Sequence, residues 1–220
     1  QVEYFDGRLV ILTDADGALD GKLMTAPVDA PGRANWREWV PHQPGRHILE
    51  VRPFRSHLVR LQRQDGRLEV VATPRKDPEA KVGFEEPAYT VGLGPVQEYG
   101  GGLLHLVYQS PRTPKRWIDY DLARGTQTVV KAQGAGPCFS AERYEVRRLE
   151  APAKDGATVP VTVLMRKGAA LDGKSPLLVY GYGAYGVSSE AEFSVPALAL
   201  VDQGFVYAIA HVRGGSEKGR

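Results

Sequence analysis

One strand-like segment recurs three times in the first part of this chain at almost constant spacing. Arg8-Leu9-Val10-Ile11-Leu12-Thr13, His57-Leu58-Val59-Arg60-Leu61-Gln62 and His105-Leu106-Val107-Tyr108-Gln109-Ser110 read as equivalent strands. Their Leu-Val pairs begin at positions 9, 58 and 106, spacings of 49 and 48. Each is followed by a turn and a second strand: Gly21 to Thr25, Gly66 to Val71, and Arg116 to Tyr120. A period in the forties built from strands alone is that of a β-propeller blade, a four-stranded meander repeated around an axis. A β-sandwich with irregular hairpins also accommodates short strands at this density; the near-equal spacing favours the propeller. Three blades do not close a ring that normally takes about 4–8, and an open stack exposes strand edges. Further residues are therefore expected before Gln1.

The rhythm changes around Gly134-Ala135-Gly136-Pro137, so the chain divides into an all-β part, 1–140, and a second part, 141–220. Glu145 to Leu149 and Val159 to Leu164 flank an Asp155-Gly156 turn suited to an antiparallel hairpin. Leu177-Leu178-Val179-Tyr180 is fully apolar and reads as a strand buried on both faces. Phe193 to Gln203 carries apolar residues at helical spacing, with Gly204 as its stop. Phe205 to Ala210 is a further buried strand, which completes a βαβ unit. The expected fold is thus a set of propeller blades followed by the start of an α/β domain.

Charge and composition narrow the functional classes. With 28 Lys and Arg against 26 acidic residues, scattered and without long runs of one sign, nothing recommends a nucleic-acid or anionic-membrane partner. No stretch approaches the ~18 apolar residues of a membrane span. The single cysteine, Cys138, fits a reducing, cytoplasmic setting. His42, His47, His57 and His105 lack metal-ligand spacing, so neither a metal nor a cofactor is expected. Asp14-Ala15-Asp16-Gly17 lacks the terminal bidentate Glu of a calcium loop and reads as turn chemistry. Trp36 and Trp39 read as blade-core residues.

Two segments could carry chemistry. In Tyr180-Gly181-Tyr182-Gly183-Ala184-Tyr185-Gly186, alternating glycines permit tight turns and close approach to a ligand. A preorganised tyrosine hydroxyl there could stabilise developing negative charge. On residue types alone, a glycine-rich strand-to-helix connection with packed aromatics is the favoured reading. The second segment, His211 to Gly219, has no G-x-S-x-G elbow, because Ser216 is followed two residues on by Lys218. His211 lies too early in chain order for a triad histidine. Both residues are expected to serve the loop, not catalysis.

Ser175 to Gly186, Leu200 to Gly215 and Glu217 closely resemble the prolyl oligopeptidase family of serine peptidases, its oligopeptidase B branch most of all. Asp155 to Val161 and Tyr108 to Pro114 support the match. The resemblance implies a propeller joined to an α/β-hydrolase domain, and hydrolysis of short peptides after Lys or Arg. It implies Tyr182 as an oxyanion-hole donor, Tyr185 as a wall of the specificity pocket, and Arg213, Gly214, Gly215 and Glu217 as an architectural loop near the domain interface. Ser216 departs from the family's usual third glycine. The nucleophile, acid and histidine would then lie beyond Arg220, so the 220 residues alone are expected to be inactive. A propeller binding module with a hydrolase remnant, and an esterase on the same fold, stand as alternatives.

Overall fold

The computed structural model describes residues 1–95 and 98–220. The first strands are β1 (Val2–Phe5), β2 (Arg8–Thr13), β3 (Lys22–Pro27) and β4 (Arg37–Val40), paired in sequence order. A second sheet repeats the plan with β5 (Arg46–Pro53), β6 (His57–Gln64), β7 (Arg67–Pro74) and β8 (Ala80–Lys81). A third consists of β9 (Thr90–Leu93), β10 (Leu103–Ser110), β11 (Thr113–Asp121) and β12 (Thr126–Ala132). All three are antiparallel four-stranded meanders, not the two face-packed sheets of a sandwich. The recurring Leu-Val segments are β2, β6 and β10, the second strand of each sheet, and the segments following them contribute to the third strands.

Local chemistry sets the hairpins. The β1–β2 and β6–β7 connections are two-residue Asp-Gly loops with both residues at positive φ: Asp6 51° and Gly7 79°, Asp65 50° and Gly66 68°. That is the turn whose twist matches antiparallel strands. Strand alternation then sends β6 into two cores. Leu58 packs with Phe5, Val10, Leu23 and Ile48 of the first core. Val59 and Leu61 join Val70, Leu104 and Leu106 of the next. Burying each such leucine contributes about 1.5–3 kcal/mol. Buried Arg60 is paired with Glu79 at 2.7 Å and with Gln62 at 2.8 Å, as a charge inside a sheet stack requires. Trp39 stacks on Phe5 with ring centroids 6.1 Å apart. Trp36 does not join the core. It is only half-buried, and its indole N–H donates to the Pro31 carbonyl at 3.0 Å in a surface turn. Asp16 sits in the turn expected of it, its carboxylate held by Lys22 and Arg33.

The second part forms a mixed sheet from β13 (Tyr144–Pro152), β14 (Thr158–Arg166), β15 (Leu177–Tyr180) and β16 (Val206–Ala210), with α1 (Val195–Asp202) between the last two. The order is β13-β14-β16-β15, with β15 and β16 parallel. The Ser194 hydroxyl accepts from the Ala197 N–H at 3.3 Å at the start of α1, and Gly204, at φ 93°, follows its end. The helix buries Ala197, Leu198 and Val201 against Tyr144, Val146 and Leu164. It packs mainly on β14 and β16. β15 is an edge strand by its place in the sheet order, and the expected burial on both faces is not found: Leu177 and Val179 are each 58% exposed. Among the described residues, no helix is long and apolar enough to cross a membrane.

Polar contacts join the two parts. The tip of the β6–β7 hairpin meets the loop after β16, with the Gly66 N–H donating to the Glu217 carbonyl at 2.6 Å. Arg148 of β13 donates to the Asp65 and Gly66 carbonyls. Buried Asp20 accepts from the N–H groups of Gly45 at 2.8 Å and Arg220 at 2.6 Å.

Candidate active site

The glycine-rich segment Tyr180 to Gly186 leaves the end of β15 and packs against the loop that leaves β16. Gly183 sits at φ 64°, and a side chain on it would lie 2.5 Å from the Arg213 carbonyl oxygen. Gly214 sits at φ 94°, and a side chain there would lie 2.0 Å from the Gly183 carbonyl oxygen. The Gly186 N–H closes the contact by donating to the Gly214 carbonyl at 2.8 Å. The close approach expected toward a ligand is therefore, at Gly183, an approach of backbone to backbone. It holds two loops as one rigid ledge.

Tyr182 stands on that ledge, 53% exposed. It lines a cleft of about 470 Å³ together with Tyr180, Ser188, Glu190, Glu192 and Phe193. Tyr185, at φ 56° and 93% exposed, is not among the residues lining that cleft. Glu190 and Glu192 were not singled out from sequence. The only signal was a Glu-Ala-Glu triplet, which on a strand or extended segment puts both carboxylates on one side.

The second loop supplies support. Arg213 is exposed and pairs with Asp155 of the β13–β14 hairpin, which holds that carboxyl below the usual carboxylate range. Glu217 is buried, and its Oε1 accepts from the Ser189 N–H at 2.9 Å. A side chain on Gly215 would lie 2.0 Å from Glu217 Oε2, so the Gly-Gly pair makes room for a folded-back carboxylate. Ser216 donates to the Gly186 carbonyl at 2.7 Å. The His211 Nε2 and the Thr162 hydroxyl are 2.8 Å apart, and burial pushes the imidazole down to about 4. Ser216 thus ties one loop to the other, while His211 ties the end of β16 to β14.

Three repeated meanders followed by this ledge have counterparts among known proteins. A model of the prolyl oligopeptidase N-terminal beta-propeller domain matches residues 1–133. The chain belongs to the prolyl oligopeptidase family. It is 38% identical over 222 residues to dipeptidyl aminopeptidase BI of Pseudoxanthomonas mexicana, covering 100% of this chain and 30% of that protein. It is 31% identical over 220 residues to Protease 2 of Moraxella lacunata, covering 100% of this chain and 31% of the relative. Oligopeptidase B from Trypanosoma brucei, solved in a closed form with covalently bound antipain, superposes with a TM-score of 0.88 at 33% identity. That match covers 100% of this chain and 32% of the other. The chain thus spans about a third of the length of the family members it matches.

Within this family member, the ledge can do one kind of chemistry. It carries Tyr182 into an open cleft that Glu190 and Glu192 also line, Glu190 being paired with Arg63, so the cleft wall combines a phenol hydroxyl with acidic groups.

Proposed function

We propose that this chain is the part of a serine oligopeptidase in which late propeller blades, 1–140, pass into the opening of an α/β-hydrolase domain, 141–220. The parallel β15–α1–β16 unit supports the second assignment, because a strand, a crossover helix and a parallel strand are how such a sheet is built. In this reading a serine outside these residues attacks the scissile carbonyl. The tetrahedral oxyanion then accepts a hydrogen bond from the Tyr182 hydroxyl. The substrate is a short peptide, cleaved after Lys or Arg, and the blades restrict access by larger chains. Tyr185 forms an outer wall of the specificity pocket, and Arg213, Gly214, Gly215 and Glu217 brace it against the blades. In this reading the 220 residues by themselves are inactive. The same reading makes the protein cytoplasmic, a setting in which the exposed thiol of Cys138 stays reduced.

The observation that carries this reading is Tyr182, half-exposed on a ledge locked by Gly183 and Gly214, beside an acidic cleft. Its test is Tyr182→Phe in the full-length protein, assayed with Arg-containing peptide amides. Turnover should fall about 10–10³-fold, bounded by single-donor losses elsewhere. Unchanged turnover removes Tyr182 from the role.

The relative named dipeptidyl aminopeptidase BI supports a second reading, in which dipeptides are removed from a free amino end. Peptide amides with free and acetylated amino termini separate the two. An exopeptidase loses the acetylated substrate; an endopeptidase keeps it.

A further inference from the structure

The turn that follows Tyr182 on the ledge is held in a conformation its sequence does not favour. Ala184 to Val187 form a tight turn, closed by the Val187 N–H donating to the Ala184 carbonyl at 3.0 Å. Its two central residues, Tyr185 at φ 56° and Gly186 at φ 70°, are both left-handed, as in a type I′ turn. Glycine, asparagine and aspartate suit such positions, whereas a residue as bulky as tyrosine is an outlier there. Tyr185 is 93% exposed, so packing within these residues does not hold it in place. Strain of this kind persists only where surrounding contacts over-determine it, and it gathers at functional sites.

The contacts that over-determine it converge on Gly186. Its N–H donates to the Gly214 carbonyl at 2.8 Å, and its carbonyl accepts from the Ser216 hydroxyl at 2.7 Å. Both polar groups of Gly186 are thus committed to the loop after β16. Ser216 is buried, and its oxygen lies 3.4 Å from the Ser188 hydroxyl, which can donate to it while Ser216 donates onward to Gly186. Tyr182 is fixed by a different contact, that of Gly183 with Arg213 and Gly214. The ledge therefore has two locks, one under each tyrosine.

We propose that Ser216 is a positioning residue for substrate binding: through the Gly186 carbonyl it holds the 184–187 turn left-handed, so that the Tyr185 ring stands where a bound peptide lies against it. This rests on the reading that Tyr185 walls the specificity pocket. A peptide that meets a preset ring does not have to order it on binding, so the Ser216 hydroxyl acts on affinity. The lock under Tyr182 does not involve Ser216, so the oxyanion keeps its donor when that hydroxyl is removed.

The test uses the full-length protein and slowly cleaved Arg-containing peptide amides, for which KM reports binding. Ser216→Ala should raise KM about fivefold, the effect of one neutral hydrogen bond, with kcat within about twofold of the parent. Ser216→Thr keeps the hydroxyl and should restore the parental KM. Tyr185→Ala should raise KM at least as far. Adding Ser216→Ala to it should change nothing further, because the ring that the turn positions has gone. Hydrogen exchange at the Gly186 and Val187 amides should quicken in Ser216→Ala and not in Ser216→Thr. Quickened exchange with an unmoved KM makes Ser216 merely structural and overturns the proposal, as do KM effects of Ser216→Ala and Tyr185→Ala that multiply. A fall in kcat at constant KM overturns it too, by placing Ser216 behind Tyr182. Each of these failures is read in an enzyme whose Tyr182 is intact, and is distinct from an unaltered Tyr182→Phe turnover. A parent that hydrolyses none of these amides sinks the underlying reading and this inference with it.

Discussion

The carbonyl oxygen of Gly183 occupies the place where a side chain on Gly214 would have to go, 2.0 Å from that position. The two loops carrying the candidate site are thus fitted to each other through positions that tolerate only hydrogen. Gly214→Ala must both push the loops apart and hold a left-handed φ of 94°. The strained backbone alone costs about 1–3 kcal/mol. A fall in thermal midpoint, with faster amide exchange over 181–186, is the expected outcome. Gly134→Ala, where a side chain meets open space, should leave both unchanged.

His211 makes stability depend on pH in a defined direction. Burial holds its folded-state pKa at about 4, against 6.5 for the ordinary group. Above about 6.5 the imidazole is neutral in both states and its contribution is complete. As pH falls from 6.5 toward 4, the unfolded chain takes up a proton that the folded chain refuses, and stability is lost. Urea titrations at pH 7.5 and pH 5 should show this loss, and His211→Gln should shrink the difference by up to about 2 kcal/mol.

The sheet cores should be sensitive where the outer strand is not. Leu106 is 0% exposed between the second and third sheets, whereas Val130 on β12 is 57% exposed. Leu106→Ala should cost about 3 kcal/mol in equilibrium unfolding. Val130→Ala should stay within about 0.5 kcal/mol. Equal effects would contradict the stacking of these sheets.

Asp20 ties the first sheet to the last residues by accepting from Gly45 and Arg220. Asp20→Ala leaves those N–H groups without their acceptor, at a cost of roughly 1–3 kcal/mol for each that stays buried. Amide exchange should quicken at Gly45 and Arg220 while the β6–β7 hairpin keeps its protection.

The sequence was most legible where chemistry repeats along the chain. The β2, β6 and β10 pattern could be read because each Leu-Val pair supplies a core residue: Val10 and Leu58 to the first core, Val59 and Leu106 to the next. The extent of α1 could be read from Ser194 and Gly204, whose capping roles are local. Burial of β15 could not. Leu177 to Tyr180 have the composition of an interior strand, but burial of a strand's faces is set by the layers packed on them, which apolar character does not encode. The Gly183–Gly214 contact was equally hidden, since each glycine reads as a turn until the other is placed against it. Glu190 looked like one of many surface acids; its partner Arg63 lies 127 residues away in sequence.

The edge strand β15 has a further consequence. Its side chains Leu177 and Val179 are apolar and exposed on one face of the sheet, and the backbone groups along its unpaired edge are open to pairing with another extended chain. Two copies meeting there would each present a second edge, so growth need not stop at a dimer. Preparations of these 220 residues should scatter light increasingly with concentration. A charged residue placed at Val179 should act as a gatekeeper and suppress that growth without touching either loop of the ledge.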